Sequence, residues 1–368
     1  MSQLPVRFSG TPRQDNLDLY VTGPFSLFNR EHELITGVTL SQFSQSVPEW
    51  GGWRYDYNGT PGAAIDNLFD WDGKQPKPAF TESGKSSQEE NQYAAYLTTR
   101  LHLTDDLNLI LGSRLIDWER KTEDRPYGAA SSNTDRKETG VFIPYAGVVY
   151  DLNDTWSLYA SYTKIFNPQG SWVQDAQFKP IDPMQGIGYE MGIKGSHFDG
   201  KLNSSVSLFK LEQDNLAIWQ HHNVYDAKQD TTSKGIELEL NGELAEGWQA
   251  SAGYAYSVTT DADDQRINTN LPRNSFKTFT SYRLHGPLDK LTVGGGVNWQ
   301  SKVGNDLHTF TQGSYAIANL MARYDINEHL EASVNLNNLF DREYYSMAGL
   351  YGTYGAPRNV MTNFTYKF

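Results

Sequence analysis

Trp248-Gln-Ala-Ser-Ala-Gly-Tyr-Ala-Tyr-Ser-Val258 sorts into two faces when every second residue is taken. Trp248, Ala250, Ala252, Tyr254, Tyr256 and Val258 form one face, and Gln249, Ser251, Gly253, Ala255 and Ser257 form the other. Successive strand side chains point to opposite sides, so this reads as a β-strand with an apolar side and a polar, small-residue side. The pattern repeats outward in both directions. Leu291, Val293, Val297 and Trp299 alternate with Thr292, Gly294, Gly296 and Asn298. Trp156, Leu158, Ala160 and Tyr162 alternate with Ser157, Tyr159, Ser161 and Thr163. Leu330, Ala332, Val334 and Leu336 alternate with Glu331, Ser333, Asn335 and Asn337. No helical period competes over a comparable length.

Composition agrees with many such strands. The 368 residues include 17 Phe, 9 Trp and 22 Tyr, with 32 Gly, while only 38% are hydrophobic. With no Cys, disulfide scaffolds, zinc-thiolate sites and cysteine nucleophiles are excluded. A net charge of −13 without basic clusters argues against a nucleic-acid partner. The opening MSQLPVRFSG has no basic segment followed by an apolar stretch, so it does not read as a secretory signal. No apolar run reaches the length of a membrane-crossing helix. A barrel strand needs only about ten residues with apolar side chains at alternate positions, so period two is the test of membrane residence.

Connections fall into two alternating classes. Short turns are expected at 29–32, 104–106, 152–154, 198–200, 244–246, 286–288 and 325–327. Long polar or aromatic loops are expected at about 47–87, 122–138, 168–183, 215–230, 261–273, 303–312 and 341–355. Short turns at one end and long loops at the other describe an all-β, antiparallel transmembrane β-barrel. About fifteen strands are expected, from near Leu17–Phe28 to Val360–Phe368. An odd count is unusual for a bacterial single-chain barrel, and an incomplete barrel leaves unpaired edges. Residues 1–368 are therefore expected to be the C-terminal part of one larger barrel domain.

Several motifs carry a family resemblance. Asn338-Leu-Phe-Asp-Arg-Glu-Tyr-Tyr345, followed by Tyr354-Gly-Ala-Pro-Arg-Asn359 and a last strand ending in Phe368, resembles the C-terminal signature of TonB-dependent outer-membrane receptors. Tyr159-Ala-Ser-Tyr-Thr-Lys-Ile-Phe-Asn-Pro-Gln169, Tyr189-Glu-Met-Gly-Ile-Lys-Gly195, Gly235-Ile-Glu-Leu-Glu-Leu-Asn-Gly242 and Asn270-Leu-Pro-Arg-Asn274 resemble the siderophore-receptor subgroup. Gly23-Pro-Phe-Ser-Leu-Phe-Asn-Arg-Glu-His-Glu-Leu34 resembles receptors for hydroxamate- and pyoverdine-like ferric siderophores. The resemblance implies about fifteen of twenty-two strands, with the plug domain and TonB box absent from this text. It also implies a Gram-negative outer-membrane location and uptake of ferric siderophores, with iron arriving as a chelate and no cofactor. The implied partners are the ferric siderophore, the TonB complex through the missing plug region, outer-membrane lipid and the barrel-assembly machinery. This chain alone is not expected to transport. A plugless passive pore or structural barrel is the alternative, and a soluble β-rich binding protein or hydrolase the third reading.

Candidate ligand residues lie in the long loops. Trp50, Trp53, Arg54, Tyr55 and Tyr57, with Trp71 further on, offer rings and a cation suited to a chelate with apolar and charged parts. Most of these rings are expected to pack within their own loop, with one or two reaching ligand. The same holds for Trp172, Trp219 and Tyr225. Asn338, Asp341, Arg342 and Arg358 are expected to form a polar network at the last hairpin, Arg358 being also a ligand candidate. Leu339, Phe340, Tyr344 and Pro357 belong to the motif, and Phe368 resembles the terminal aromatic signal for barrel insertion. His221-His222 reads as structural or solvated and Asp261-Ala-Asp-Asp264 as an acidic turn. Asp56, Asp66, Asp70 and Asp72 give no catalytic pair, and no catalytic motif is present.

Overall fold

A computed structural model describes residues 7–50, 72, 74, 80–221, 224–305, 310–348 and 352–368. Fifteen strands form one continuous hydrogen-bonded order. The first five are β1 (Arg13–Leu27), β2 (Arg30–Trp50), β3 (Glu82–His102), β4 (Leu107–Pro126) and β5 (Ser132–Asp151). Next come β6 (Trp156–Asn167), β7 (Met184–His197), β8 (Leu202–Asp214), β9 (Thr231–Ala245) and β10 (Trp248–Thr260). The last are β11 (Asn274–Arg283), β12 (Leu291–Gln300), β13 (Tyr315–Asp325), β14 (Leu330–Asn337) and β15 (Asn359–Tyr366). Each strand neighbours the one before and after it in sequence, so the sheet is a meander without crossovers. A sixteenth strand of two residues, Arg266–Ile267, adds to β10. From β5 onward every adjacent pair is antiparallel. Among the described residues no helix is long and apolar enough to cross a membrane.

The chain divides into two compact units. One holds Ser26–His32, Arg100–Leu111 and Pro144–Phe368, and its strand register spells out the two faces. Tyr150, Leu158, Ile193, Val206, Leu238, Tyr254, Phe276 and Trp299 stand side by side across eight strands. On the other face Ser157, Lys194, Ser205, Glu239, Gly253, Lys277 and Asn298 make the matching row. Among the described residues the apolar face stays half-exposed or exposed along this row. Trp248, Val293 and Val334 keep 44%, 39% and 44% of their surface, as side chains facing lipid would and core side chains would not. Charges on the polar face find local partners: the Lys194 ammonium sits 4.5 Å from the Tyr159 ring, whose hydroxyl donates to Glu190.

The other unit holds Met1–Phe25, Glu33–Thr99 and Gly112–Ile143, and so includes much of β1 to β5. In β1 and β2 of this unit Leu17, Leu19 and Val21, and Val38 and Leu40, still alternate, but residues 119–126 of β4 show no apolar alternation. The loop expected at 122–138 is largely strand: β4 runs to Pro126 and β5 resumes at Ser132. A backbone ladder surrounded by water on both sides needs no apolar face, so hydropathy does not mark it. The ladder is pinned by a small buried cluster. Trp118 is 1% exposed, its indole N–H donates to Glu90 Oε1 at 2.9 Å, and Arg120 Nε donates to Glu90 Oε2 at 2.7 Å.

Turn positions differ from expectation by one or two residues. The β1–β2 turn is Phe28-Asn29, with φ of 50° and 59°, rather than 29–32. Positive φ at both central residues is the type I′ turn, whose twist matches that of the flanking strands; Asn tolerates it, and Phe28 stands in solvent. Three other expected loops hold strand pairs of their own: Leu216–His221 with Val224–Lys228, Val303–Gly304 with Thr311–Gln312, and Tyr345–Ala348 with Gly352–Tyr354. Both ends of the strand order are bare, since nearly every residue of β1 and of β15 is exposed.

Candidate functional site

At the long-loop end, β11 to β15 frame a cavity of about 300 Å³ on the polar face. Alternation delivers its lining: Lys277 is register partner of Asn298, and Gln300 of Tyr315. Asn337 Nδ2 donates to Asn359 Oδ1 at 3.0 Å, and Asn319 Oδ1 accepts from the Asn338 N–H at 2.9 Å. Tyr344 closes one wall, its ring 4.7 Å from that of Tyr315. A Cβ at residue 355 would run into the Tyr344 ring, which is why Gly stands there. The cavity offers one ammonium, several amides and two phenols. Such a surface binds a ligand rich in amides and hydroxyls by hydrogen bonds, with the Lys277 cation as one fixed charge.

The Asn338 motif is the hinge pin beside this cavity. Asn338 is buried, takes a positive φ of 52°, and fills its side-chain hydrogen-bonding positions with backbone. Its Nδ2 donates to the carbonyls of Arg342 and Ala356, and its Oδ1 accepts the Arg342 N–H at 2.8 Å. Leu339 N–H bonds to the Ala318 carbonyl, and Asp341 Oδ1 accepts the Arg358 N–H at 2.7 Å. The expected network of Asn338, Asp341, Arg342 and Arg358 is therefore assembled, but through the arginine backbones. Arg358 itself is exposed. Phe340 points into solvent and Pro357 supplies a carbonyl to Asn359. Phe368 is fully exposed, with its ring edge-on to Tyr366 at 5.2 Å.

Beyond the motif, Tyr345 stacks on Tyr354 at 4.6 Å and meets Phe310 edge-on at 4.8 Å. The Tyr345 hydroxyl donates to that of Tyr354, which raises its pKa above the ordinary phenol range. A second aromatic group gathers elsewhere. Trp219 and Tyr225 are register partners in one loop hairpin. The Tyr225 N–H donates to the Gln174 carbonyl, tying that hairpin to the loop that carries exposed Trp172. Three expected ligand residues thus share one loop assembly. Trp50 is different: the Arg7 guanidinium lies 3.7 Å from its ring centre. Trp53, Arg54, Tyr55, Tyr57, Trp71 and His222 lie outside the described residues. In the acidic turn, Asp261 Oδ1 accepts the N–H groups of Asp263 and Gln265.

Sequence reading by loops missed Lys277, Asn298, Asn319, Asn337 and Asn359. Their signal was available: each sits on the polar side of a strand, and the register stacks them.

Comparison with known proteins decides the family. The model for the TonB-dependent receptor-like β-barrel matches residues 3–339. The chain belongs to that family. It is 79% identical over its full length to a ferric-pyoverdine BN7/BN8 receptor of Pseudomonas putida, spanning 46% of that protein. It superposes on the crystal structure of the outer-membrane ferripyoverdine receptor of Pseudomonas aeruginosa bound to ferripyoverdine, with a TM-score of 0.84 at 39% identity. That match covers 98% of this chain and 49% of the solved one. A related solved structure, with a TM-score of 0.83 at 38% identity over 98% of this chain and 50% of that one, holds FpvAI with pyocin S2. The chain spans about half the length of the curated relatives it matches. As a member of this receptor family it is a protein of the Gram-negative outer membrane, and the bare apolar rows of its sheet face lipid.

Proposed function

We propose that the protein carrying this chain takes up ferric siderophores of the pyoverdine class across the outer membrane. What supports the reading most is the 79% identity, over the whole chain, to a ferric-pyoverdine receptor. The polar cavity under the motif loop and the aromatic loop assembly fit it, since a peptide-bearing chelate presents amides, hydroxyls and a flat ring system. In this reading residues 1–368 are the C-terminal part of one barrel domain, and iron is cargo that enters already chelated. A plug contributed by the rest of the receptor gates the lumen and receives energy from the TonB complex. Lipid meets the apolar rows, and the barrel-assembly machinery reads Phe368. No catalytic role is assigned. The 368-residue segment alone should neither close nor pump, because β1 and β15 each have a single strand neighbour.

The test is radioiron uptake in a Pseudomonas strain stripped of its own pyoverdine receptors and given the complete receptor. Expected is TonB-dependent accumulation of iron from at least one pyoverdine, lost when the receptor is omitted. Equal accumulation with and without the receptor, across a panel of pyoverdines, would overturn the proposal.

A further inference from the structure

On the outward face of the sheet, strand register carries the apolar rows up to a change of character. Met191, Leu208 and Ile236 stand side by side across β7, β8 and β9. One row nearer the long loops the same three strands, with β6, place Tyr162, Tyr189, Lys210 and Lys234 in line. The Tyr162 and Tyr189 rings meet at 5.7 Å, and Tyr189 and both lysines are exposed. Leu202 opens β8 at the short-turn end, and the eight steps from it to Lys210 cover about 26 Å of strand, or about 20 Å of height at a tilt of about 40°. A lysine stem spans the rest of an apolar band about 25 Å tall and delivers its ammonium to the headgroups beyond.

Lys210 and Lys234 are direct cross-strand partners, with Cβ atoms about 5 Å apart, and like charges so placed repel. Lys210 also donates to Glu212 on its own strand, in a pair about half exposed, which is a weak and exchangeable hold. One row higher, Lys164 lines a cavity of about 430 Å³ with Glu212, Asp214 and Asp230, so that lysine has acids at hand within the protein. Asp214 is itself engaged, its Oδ1 accepting the Asp230 N–H at 2.9 Å. The geometry points to a binding site for the phosphorylated headgroup of an outer-leaflet glycolipid, lipid A, seated on Lys210 and Lys234 with its acyl chains along Leu208 and Ile236. A phosphate between two ammoniums replaces their repulsion with two charge-assisted contacts, and the Tyr189 hydroxyl adds a donor beside them. Aromatic rings at this level suit a boundary that is apolar on one side and wet on the other. Long loops lie on the side away from the periplasm, so the leaflet at this height is the outer one. The site rests on the outer-membrane location and not on which siderophore the receptor takes up.

Native mass spectrometry of the complete receptor in detergent tests this by titration with three probes: diphosphorylated lipid A, its dephosphorylated form and phosphatidylglycerol. Expected is binding of diphosphorylated lipid A in preference to the other two, weakened about tenfold or more by combined Lys210→Gln and Lys234→Gln. The charge-keeping pair Lys210→Arg and Lys234→Arg should retain it, and Lys201→Gln, at a short turn on the periplasmic side, should leave it unchanged. Thermal unfolding of the glutamine pair separates a lost site from a lost fold. Should that pair not fold, Lys234→Gln alone is read in its place, with a severalfold loss expected. Lipid A binding untouched by the glutamine change, equal binding of the dephosphorylated form or of phosphatidylglycerol, or no binding of any probe would overturn the proposal. None of these outcomes bears on iron uptake, which has its own assay.

Discussion

Strands β2 to β5 run for 20 or 21 residues, whereas β11 to β15 run for 8 to 11. At roughly 3.3 Å per residue, ten residues suffice for the apolar band of an outer-membrane sheet, about 25 Å tall. Twenty residues overshoot it about twofold, and in β3, β4 and β5 the half next to the long loop is rich in charge. Two solvents act on one kind of ladder. Within lipid, every backbone group must pair and one side-chain row must be apolar. In water, solvent satisfies whatever the ladder leaves, and side chains secure the strands one cluster at a time. The shorter strands are therefore held by environment and the extensions by particular contacts.

That contrast can be broken at its strongest contact first. Arg120→Met strands the Glu90 carboxylate beside the buried Trp118 and should cost about 3–5 kcal/mol. Urea unfolding in lipid vesicles, followed by tryptophan fluorescence, checks it, and a loss below about 1 kcal/mol would mean that the extension does not depend on its cluster. Leu208→Arg places a charge in the bare apolar row and should cost about 2–4 kcal/mol, while Ser205→Arg, between Lys194 and Glu239 on the polar face, should cost well under about 1. Equal losses at the two positions would erase the distinction between faces.

Asn338→Ala should cost about 2 kcal/mol, because it leaves three backbone groups of the last loop without their partner. The same change should loosen the cavity wall formed by Tyr344, so ligand affinity falls with stability; a stable variant with unaltered affinity would divorce the motif from the site. Smallest is Lys121→Gln. Its ion pair with Glu119, at 3.0 Å, is half exposed, so its loss should leave the unfolding midpoint unchanged. A lowered midpoint would show that the extension is held by surface pairs and not by its buried cluster.

Legibility follows the same division. The fifteen-strand path could be read from Trp248–Val258 and its counterparts because lipid imposes period two on the text. Thr122-Glu-Asp-Arg-Pro126 reads as loop because water imposes nothing, although it is strand to its last residue. Asn338 could be singled out from its motif, but its partners are carbonyls and N–H groups, which no side-chain pattern announces. The cavity residues Asn298, Asn319 and Asn337 become neighbours only once strand register is known.

Because the chain contains no cysteine, single cysteines can be placed at will. Spin labels along Leu202–Asp214 and along Asp117–Pro126, in receptor embedded in lipid, would report collision with oxygen, enriched in the bilayer, and with a water-borne nickel complex. Along the first segment the two readings should alternate out of phase with period two, with oxygen favoured at Val206 and Leu208 and nickel at Asn203 and Ser205. Along the second the oxygen signal should stay flat and low. A flat profile in the first segment, with nickel reaching Val206 and Leu208 as readily as Ser205, would contradict the assignment of that face to lipid.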